Sequence, residues 1–373
     1  MRLIYLSPVP WASFSQRPHH FVHWYHDLTG EPVLWIDPYP TRLPALDDFR
    51  RKQPMAAPPD FSIPSWLHLC QPPALPIEPL PGASLILKPL WRRTFRTVAQ
   101  FCAEGPCRIC VGKPSELALQ VLARLPDSPA IYDAMDDFPA FYQGLSRRSM
   151  ARRQAQLIQR VPHLLVSSTA LHDRHRGMAE RVELALNACD LQQLAPVEGL
   201  DLGRKQQVLG YVGTMGHWFD WDLVIALARA NPTHPVRLIG PVFTPPPGAL
   251  PANIELTPEC AHAEAIAAMA RFSVGLIPFK RNPLTASVDP IKYYEYRALG
   301  LPVIATRFGE MALRSQAPGV WLVDGDSDLR QTALQALACP GDPATIRQFR
   351  QDNLWANRFA ATRVLGPLRG QRG

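Results

Sequence analysis

Short apolar runs recur along the chain, and a stretch with helical spacing follows nearly every one. In the first half the runs are RLIYLS (2–7), PVLWID (32–37), WLHLC (66–70), RICVG (108–112), AIYDA (130–134) and HLLVSS (163–168). Helical patterns lie between them at 18–29, 89–103, 114–124, 141–160 and 169–178. Strand and helix in alternation predict a parallel sheet with helices on both faces. The rhythm then restarts. QVLGYVG (207–213), VRLIG (236–240), NIEL (253–256), SVGLIPF (273–279), LPVIAT (301–306) and VWLVD (320–324) read as strands, with helices at 219–230, 262–271, 291–299, 327–338 and 343–365. The pattern predicts an α/β chain of two doubly wound, Rossmann-like domains facing across a cleft. They join near the polar stretch at 190–206, the first domain covering 1–200 and the second 201–351. The proline-rich segment 38–83 is expected to form long loops.

In open parallel sheets the binding crevice lies beyond the carboxyl ends of the strands. Two such units supply two half-sites, suited to bringing a donor and an acceptor together. Unrelated functions share this plan, so the site residues have to decide.

Composition narrows the choice. An apolar fraction of 47% and a charged fraction of 19% describe a globular chain rather than a disordered one. A formal charge of +7 favours anionic partners: nucleotide phosphate, a phospholipid surface or nucleic acid. No zinc-finger, RNP-like or helix-turn-helix pattern accompanies it, so nucleic acid is not expected. The seven cysteines are odd in number and scattered, which argues against a disulfide framework. Cys107 and Cys110 form a C-x-x-C inside a strand-like run, where packing is the expected role rather than redox chemistry. The opening MRLIYLSPVPW is too short and too proline-broken for a signal core, and no stretch has the length of a membrane span. The expectation is a cytoplasmic protein, attached at most to the inner face of a membrane.

Chemistry concentrates in two places in the second half. LGYVGTMGHWFDW reads as strand, glycine turn and helix, with Gly213 and Gly216 where a backbone N–H must approach a ligand closely. His217 is placed to donate to a diphosphate, and the following helix to aim its positive end at a phosphate. The pattern is not the dinucleotide G-x-G-x-x-G. Further on, DPIKYYEYRALG begins a helix at Asp289-Pro290, with Lys292 and Glu295 on neighbouring positions of one face. A lysine there reaches a phosphate. A carboxylate one turn on accepts both hydroxyls of a ribose.

This last segment resembles the donor-binding signature of GT-B glycosyltransferases, P-x-K-x-x-E-Y-x-A-x-G-x-P-V-I-A-T. Pro290, Lys292, Glu295, Tyr296, Ala298, Gly300, Pro302, Val303, Ile304, Ala305 and Thr306 match it in order and spacing. GYVGTMGHWFDW is similar to the first strand and turn of the family's C-terminal domain. NLWANRF resembles its final helix, placed at about 352–370 and expected to pack back on the first domain. SFSQRPHHF and YDAMDDFPAF look like a bacterial branch that builds surface polysaccharides. The resemblance implies a metal-independent hexosyltransferase with a nucleotide diphosphate sugar as donor substrate, no cofactor, and a saccharide or lipid-linked saccharide as acceptor. It implies donor contacts at Gly213, Gly216, His217, Asp289, Lys292 and Glu295. One position departs from it. Many retaining members carry a glutamate eight residues before the position of Glu295. Here Ser287 stands there, and Asp289, the nearest carboxylate, either does a related job or leaves that role unfilled.

In the first half, IYDAMDDF places Asp133, Asp136 and Asp137 at the carboxyl end of a predicted strand. Crowded carboxylates raise one pKa and suit a general base, although aspartates at strand ends also cap helices. Asp136 or Asp137 is the candidate catalytic residue, with Asp133 and Arg17 lining the acceptor side. Arg17 serves equally as a loop brace. His19 and His23 are spaced i,i+4, but no third ligand is evident and no metal is expected. LWRRTFRTVAQFC reads as a basic amphipathic helix, a packing element whose arginines also suit anionic lipid. Two other readings keep the same fold: a nucleotide-sugar epimerase, which needs no acceptor, and a non-catalytic nucleotide- or glycan-binding relative.

Overall fold

The computed structural model describes residues 1–43, 62–194, 197, 207–339 and 341–363. Parts of the expected loop over 38–83, of the join near 190–206 and of the final helix fall outside these residues. The chain forms two compact units, Met1–Ala185 with the chain from Phe359 onward, and Leu186–Arg358.

In the first unit the strands are β1 (Arg2–Leu6), β2 (Val33–Ile36), β3 (Leu67–Cys70), β4 (Cys107–Val111), β5 (Ala130–Ala134), β6 (His163–Val166) and β7 (Arg181–Leu184). All pair in parallel, in the order β3-β2-β1-β4-β5-β6-β7. Helices α1 (Arg17–Thr29), α2 (Ala83–Leu90), α3 (Arg92–Ala103), α4 (Glu116–Arg124), α5 (Gly144–Ile158) and α6 (Thr169–His175) connect them. Strands β2 and β5 are buried along their whole length, and β1, β4 and β6 at all but one residue each, as continuous apolar runs require when helices cover both faces. Strand order reverses between β1 and β4, so the crevice of this sheet opens beyond their carboxyl ends. Cys107 and Cys110 are buried in β4 as free thiols.

The helix expected over 89–103 is two helices. Pro89 removes a backbone donor near the end of α2, and Trp91, fully buried, turns the chain into α3. Its ring packs on Tyr39 at 5.3 Å between centroids.

The second unit carries α7 (Leu191–Leu194), β8 (Leu209–Val212), α8 (Trp221–Ala230), β9 (Val236–Ile239), β10 (Ile254–Thr257), α9 (His262–Ala270), β11 (Val274–Ile277), α10 (Ile291–Ala298), β12 (Val303–Thr306), β13 (Val320–Val323), α11 (Leu329–Leu337) and α12 (Pro343–Asp352). Its sheet runs β10-β9-β8-β11-β12-β13, also parallel, and reverses between β8 and β11. The loops that follow β8 and β11 therefore flank the crevice. The single helix expected over 343–365 breaks at Asn353, whose carbonyl accepts the Cys189 N–H at 2.8 Å, and resumes as α13 (Trp355–Ala360). Phe359 packs on Phe21 and Trp24 of α1, at 5.1 and 5.4 Å. Among the described residues no helix is long and apolar enough to cross a membrane.

Candidate functional site

In the second unit, α10 is fixed to the sheet before any ligand arrives. Gly275 of β11 lets the Tyr296 ring lie against the strand; a Cβ there would stand 2.3 Å from the ring. The Tyr296 hydroxyl then accepts the Val212 N–H at 3.1 Å, which ties the helix to the last residue of β8. The two loops are joined as well, by Asp220 N–H to the Pro278 carbonyl at 2.8 Å and Lys280 N–H to the Trp218 carbonyl at 2.7 Å.

The turn after β8 offers unused donors. The N–H groups of Gly213 and Met215 bond to the last residue of β9 and the second residue beyond it, to the carbonyls of Ile239 and Pro241. Those of Thr214, Gly216 and His217 make no hydrogen bond among the described residues. Adjacent unsatisfied N–H groups in a turn form an anion cradle. A Cβ on Gly216 would come within 2.7 Å of the Trp218 ring, so any other residue there would displace that ring. His217 is exposed, its ring edge-on to Trp218 at 5.1 Å. The helix end contributes less than its position suggests. The Asp220 carboxylate accepts the Leu223 N–H at 3.1 Å, so a negative charge already caps α8.

On the first turns of α10, Lys292 Nζ lies 2.7 Å from Glu295 Oε2, the two side chains keeping 20% and 10% of their surface exposed. A cation and an acceptor are thus held side by side. His262, at the start of α9, feels both charges: burial lowers its pKa, Glu295 raises it and Lys292 lowers it. Neither His262 nor the exposed Lys280, in the loop after β11, stands out in the sequence.

Asp289 does not join this group. Its side chain is fully buried, and its carboxylate holds Arg314 at 2.7 Å, the Tyr294 hydroxyl at 2.9 Å and the Asn187 N–H at 2.7 Å. With its oxygens so engaged, it braces the start of α10 instead of offering the ligand contact expected from its position. Ser287 is the opposite case. Its hydroxyl is buried and has no partner among the described residues, which leaves it a hydrogen bond to make.

In the first unit the three aspartates divide. Asp133, at 0% exposure, pairs with Arg17: Nε donates to Oδ1 at 2.9 Å, Nη2 lies 2.8 Å from the same oxygen, and Tyr5 donates to Oδ2 at 3.3 Å. Arg17 Nη1 donates to the Ala185 carbonyl at 2.5 Å. Arg17 and Asp133 therefore do not line an open acceptor surface. They lock the first turn of α1 to β5, because a charge taken out of water must find its counter-charge. Asp133→Asn is expected to lower unfolding free energy by about 3–5 kcal/mol, the usual loss when one partner of a buried pair is removed. Urea denaturation measures it, and an unchanged midpoint contradicts the bracing role.

Asp137 is claimed by Arg174, 2.5 Å away. Asp136, between them in sequence, makes no side-chain hydrogen bond among the described residues. Its pKa is pushed up to about 7, first by desolvation and then by Asp137 and Asp133, with Arg17 opposing. A half-buried, uncommitted carboxyl that titrates near neutrality has the properties of a general base.

A recess that sequence spacing does not reveal lies at the carboxyl ends of β1, β2 and β4, at the reversal point of the first sheet. Ser7, Asp37, Tyr39, Thr41 and Lys113 contribute to its lining. Asp37 is committed to the Trp11 N–H and Trp35 Nε1, both at 2.8 Å. Lys113 makes no ion pair among the described residues and gives the recess an available cation.

No family model matches the chain. The Bacillus subtilis (strain 168) protein TuaH, assigned to teichuronic acid biosynthesis as a glycosyltransferase, is 26% identical over 247 residues. That match covers 60% of this chain and spans 62% of the length of the relative. Among solved structures, Anabaena Alr3699/HepE in complex with UDP and glucose superposes with a TM-score of 0.59 at 13% identity, over 94% of this chain and 98% of that one. A UDP-forming alpha,alpha-trehalose-phosphate synthase from Burkholderia vietnamiensis gives a TM-score of 0.59 at 11% identity, over 96% of each. At such identities the structural likeness is one of fold.

Proposed function

We propose that this chain, which has the GT-B fold, is a glycosyltransferase that moves a hexose from a UDP-sugar to a saccharide or lipid-linked saccharide, in the synthesis of bacterial cell-surface polysaccharide. The observation that carries the reading is the Lys292–Glu295 pair, held beside the crevice of the second sheet, with the unused N–H groups of Thr214, Gly216 and His217 in the loop that flanks it. TuaH and HepE support it, the one by its assigned role and the other by the UDP and glucose it holds.

In this reading Glu295 accepts the ribose hydroxyls, and Lys292 turns from Glu295 to the diphosphate, which the 214–217 turn also holds. The bond from the sugar's anomeric carbon to the diphosphate oxygen breaks, and its electron pair leaves with UDP. The acceptor oxygen bonds to the anomeric carbon, and its proton passes to Asp136. Departing negative charge is the main electrostatic demand, and lysine and backbone N–H groups meet it without a metal ion. The acceptor saccharide lies at the mouth of the shallow recess of Ser7, Thr41 and Lys113, whose interior has room for about one water-sized group. We place the reaction in the cytoplasm, at the inner face of the membrane.

A panel of nucleotide sugars, read by diphosphate release with and without a saccharide acceptor, tests this. UDP release that requires the acceptor is expected, unchanged by a chelator. An epimerised donor formed without acceptor overturns the reading in favour of an epimerase. Tight UDP binding with no turnover of any donor overturns it in favour of a binding protein.

A further inference from the structure

We propose that the α2–α3 segment is a docking surface for an anionic lipid bilayer, an inference that rests on the reading of a lipid-linked acceptor. On α2, Leu85 is 76% exposed, Ile86 55% and Leu90 39%. A helix of a folded unit ordinarily turns such residues inward. Here Leu87 and Ala83 face the core, and the opposite side is apolar as well. Ile86 and Leu90 are four residues apart and share one helical face, with Leu85 beside them.

Immediately beyond the buried joint at Trp91, the first turns of α3 present Arg92, Arg93 and Arg96 to solvent. None of the three forms an ion pair among the described residues. An exposed leucine–isoleucine face next to unpaired arginines matches the interface of a bilayer, where apolar side chains enter the acyl boundary and guanidinium groups remain among the phosphates. An uncharged protein surface would cover the apolar face but leave the three arginines unneutralised, whereas a bilayer of anionic lipid meets both. The charge selects the occupant.

The surface also connects to the proposed acceptor recess. Trp91, the pivot of the two helices, packs at a tilt against Tyr39, and Tyr39 lines the recess. Docking through α2 and α3 would hold a lipid-borne saccharide against the unit that carries Lys113.

The test uses the full chain in co-sedimentation with vesicles of phosphatidylcholine alone and of phosphatidylcholine with phosphatidylglycerol. Binding is expected to the anionic vesicles and to weaken with added salt. The triple variant Arg92→Gln, Arg93→Gln, Arg96→Gln is expected to lose affinity on the order of a hundredfold, from the sum of the surface charges removed. Leu85→Ser with Ile86→Ser is expected to lose about tenfold or more. Both variants should keep the wild-type melting temperature and the wild-type response to UDP. Equal sedimentation with both vesicle types, sedimentation with neither, or variants that bind as the wild type does overturn the proposal. So does a wild-type dimer in sedimentation velocity that Leu85→Ser with Ile86→Ser converts to monomer. Acceptor-dependent UDP release without vesicle binding removes only the docking surface. Vesicle binding without sugar transfer from any donor removes the transferase reading.

Discussion

Asp136→Asn is expected to reduce turnover by about 10²- to 10⁴-fold, the range over which a positioned general base contributes. Binding of UDP should be unchanged, because the residue lies in the first unit, on the loop after β5. The pH profile separates this from a general loss of structure. With its pKa near 7, Asp136 becomes a competent base only as the pH rises through neutrality. Wild-type kcat/KM should therefore climb through about pH 7 and level off, and the asparagine variant should show a residual rate without that limb. Stability should move the other way. A carboxyl whose folded pKa is raised retains its proton in the native state over a range where the unfolded chain has released it. Its contribution is present below about pH 4 and is lost as the pH rises through about 7. At pH 8 the variant should thus be more stable, by about 1–2 kcal/mol after discounting for partial solvent access. A variant both slow and less stable contradicts the assignment.

The second large effect concerns the pair on α10. Lys292→Ala is expected to lower kcat by roughly 10²- to 10³-fold, comparable to the loss of one preorganised donor at a site of developing negative charge. Glu295→Gln keeps the size of the side chain and some hydrogen bonding but removes the charge from the ribose contact. Hydrogen bonds to charged groups contribute about 1.5–3 kcal/mol, so affinity for UDP should fall by roughly ten- to a hundredfold. The first substitution acts mainly on the rate and the second mainly on binding.

Much of the fold was legible because its strands are continuous apolar runs. AIYDA is β5 at its full length, and PVIAT contains β12 whole. β7 was not legible. Its four residues, RVEL, lie at the sheet edge with both ends exposed, so they carry no apolar run. α2 was hidden by the prolines around it, and by an outward face as apolar as its core face.

The site was legible only where the chemistry is local. Lys292 and Glu295, three residues apart, could be paired from spacing alone. The partners of Asp289 could not be foreseen, since Asn187 is 102 residues away and Arg314 is 25. Arg17 and Asp133, 116 residues apart, looked like independent cleft residues until the fold closed them into one buried pair. Which of three adjacent aspartates stays free likewise depends on distant cations. Arg17 takes Asp133 and Arg174 takes Asp137, leaving Asp136.

Sugar transfer by this chain requires that the second unit hold the nucleoside diphosphate through α10. Titration calorimetry of UDP into the wild-type chain and into Glu295→Gln measures it directly. The wild type should bind UDP more tightly than GDP or ADP, and Glu295→Gln should bind it at least about tenfold more weakly. A wild-type chain without measurable affinity for UDP, or a Glu295→Gln variant with undiminished affinity, would contradict it.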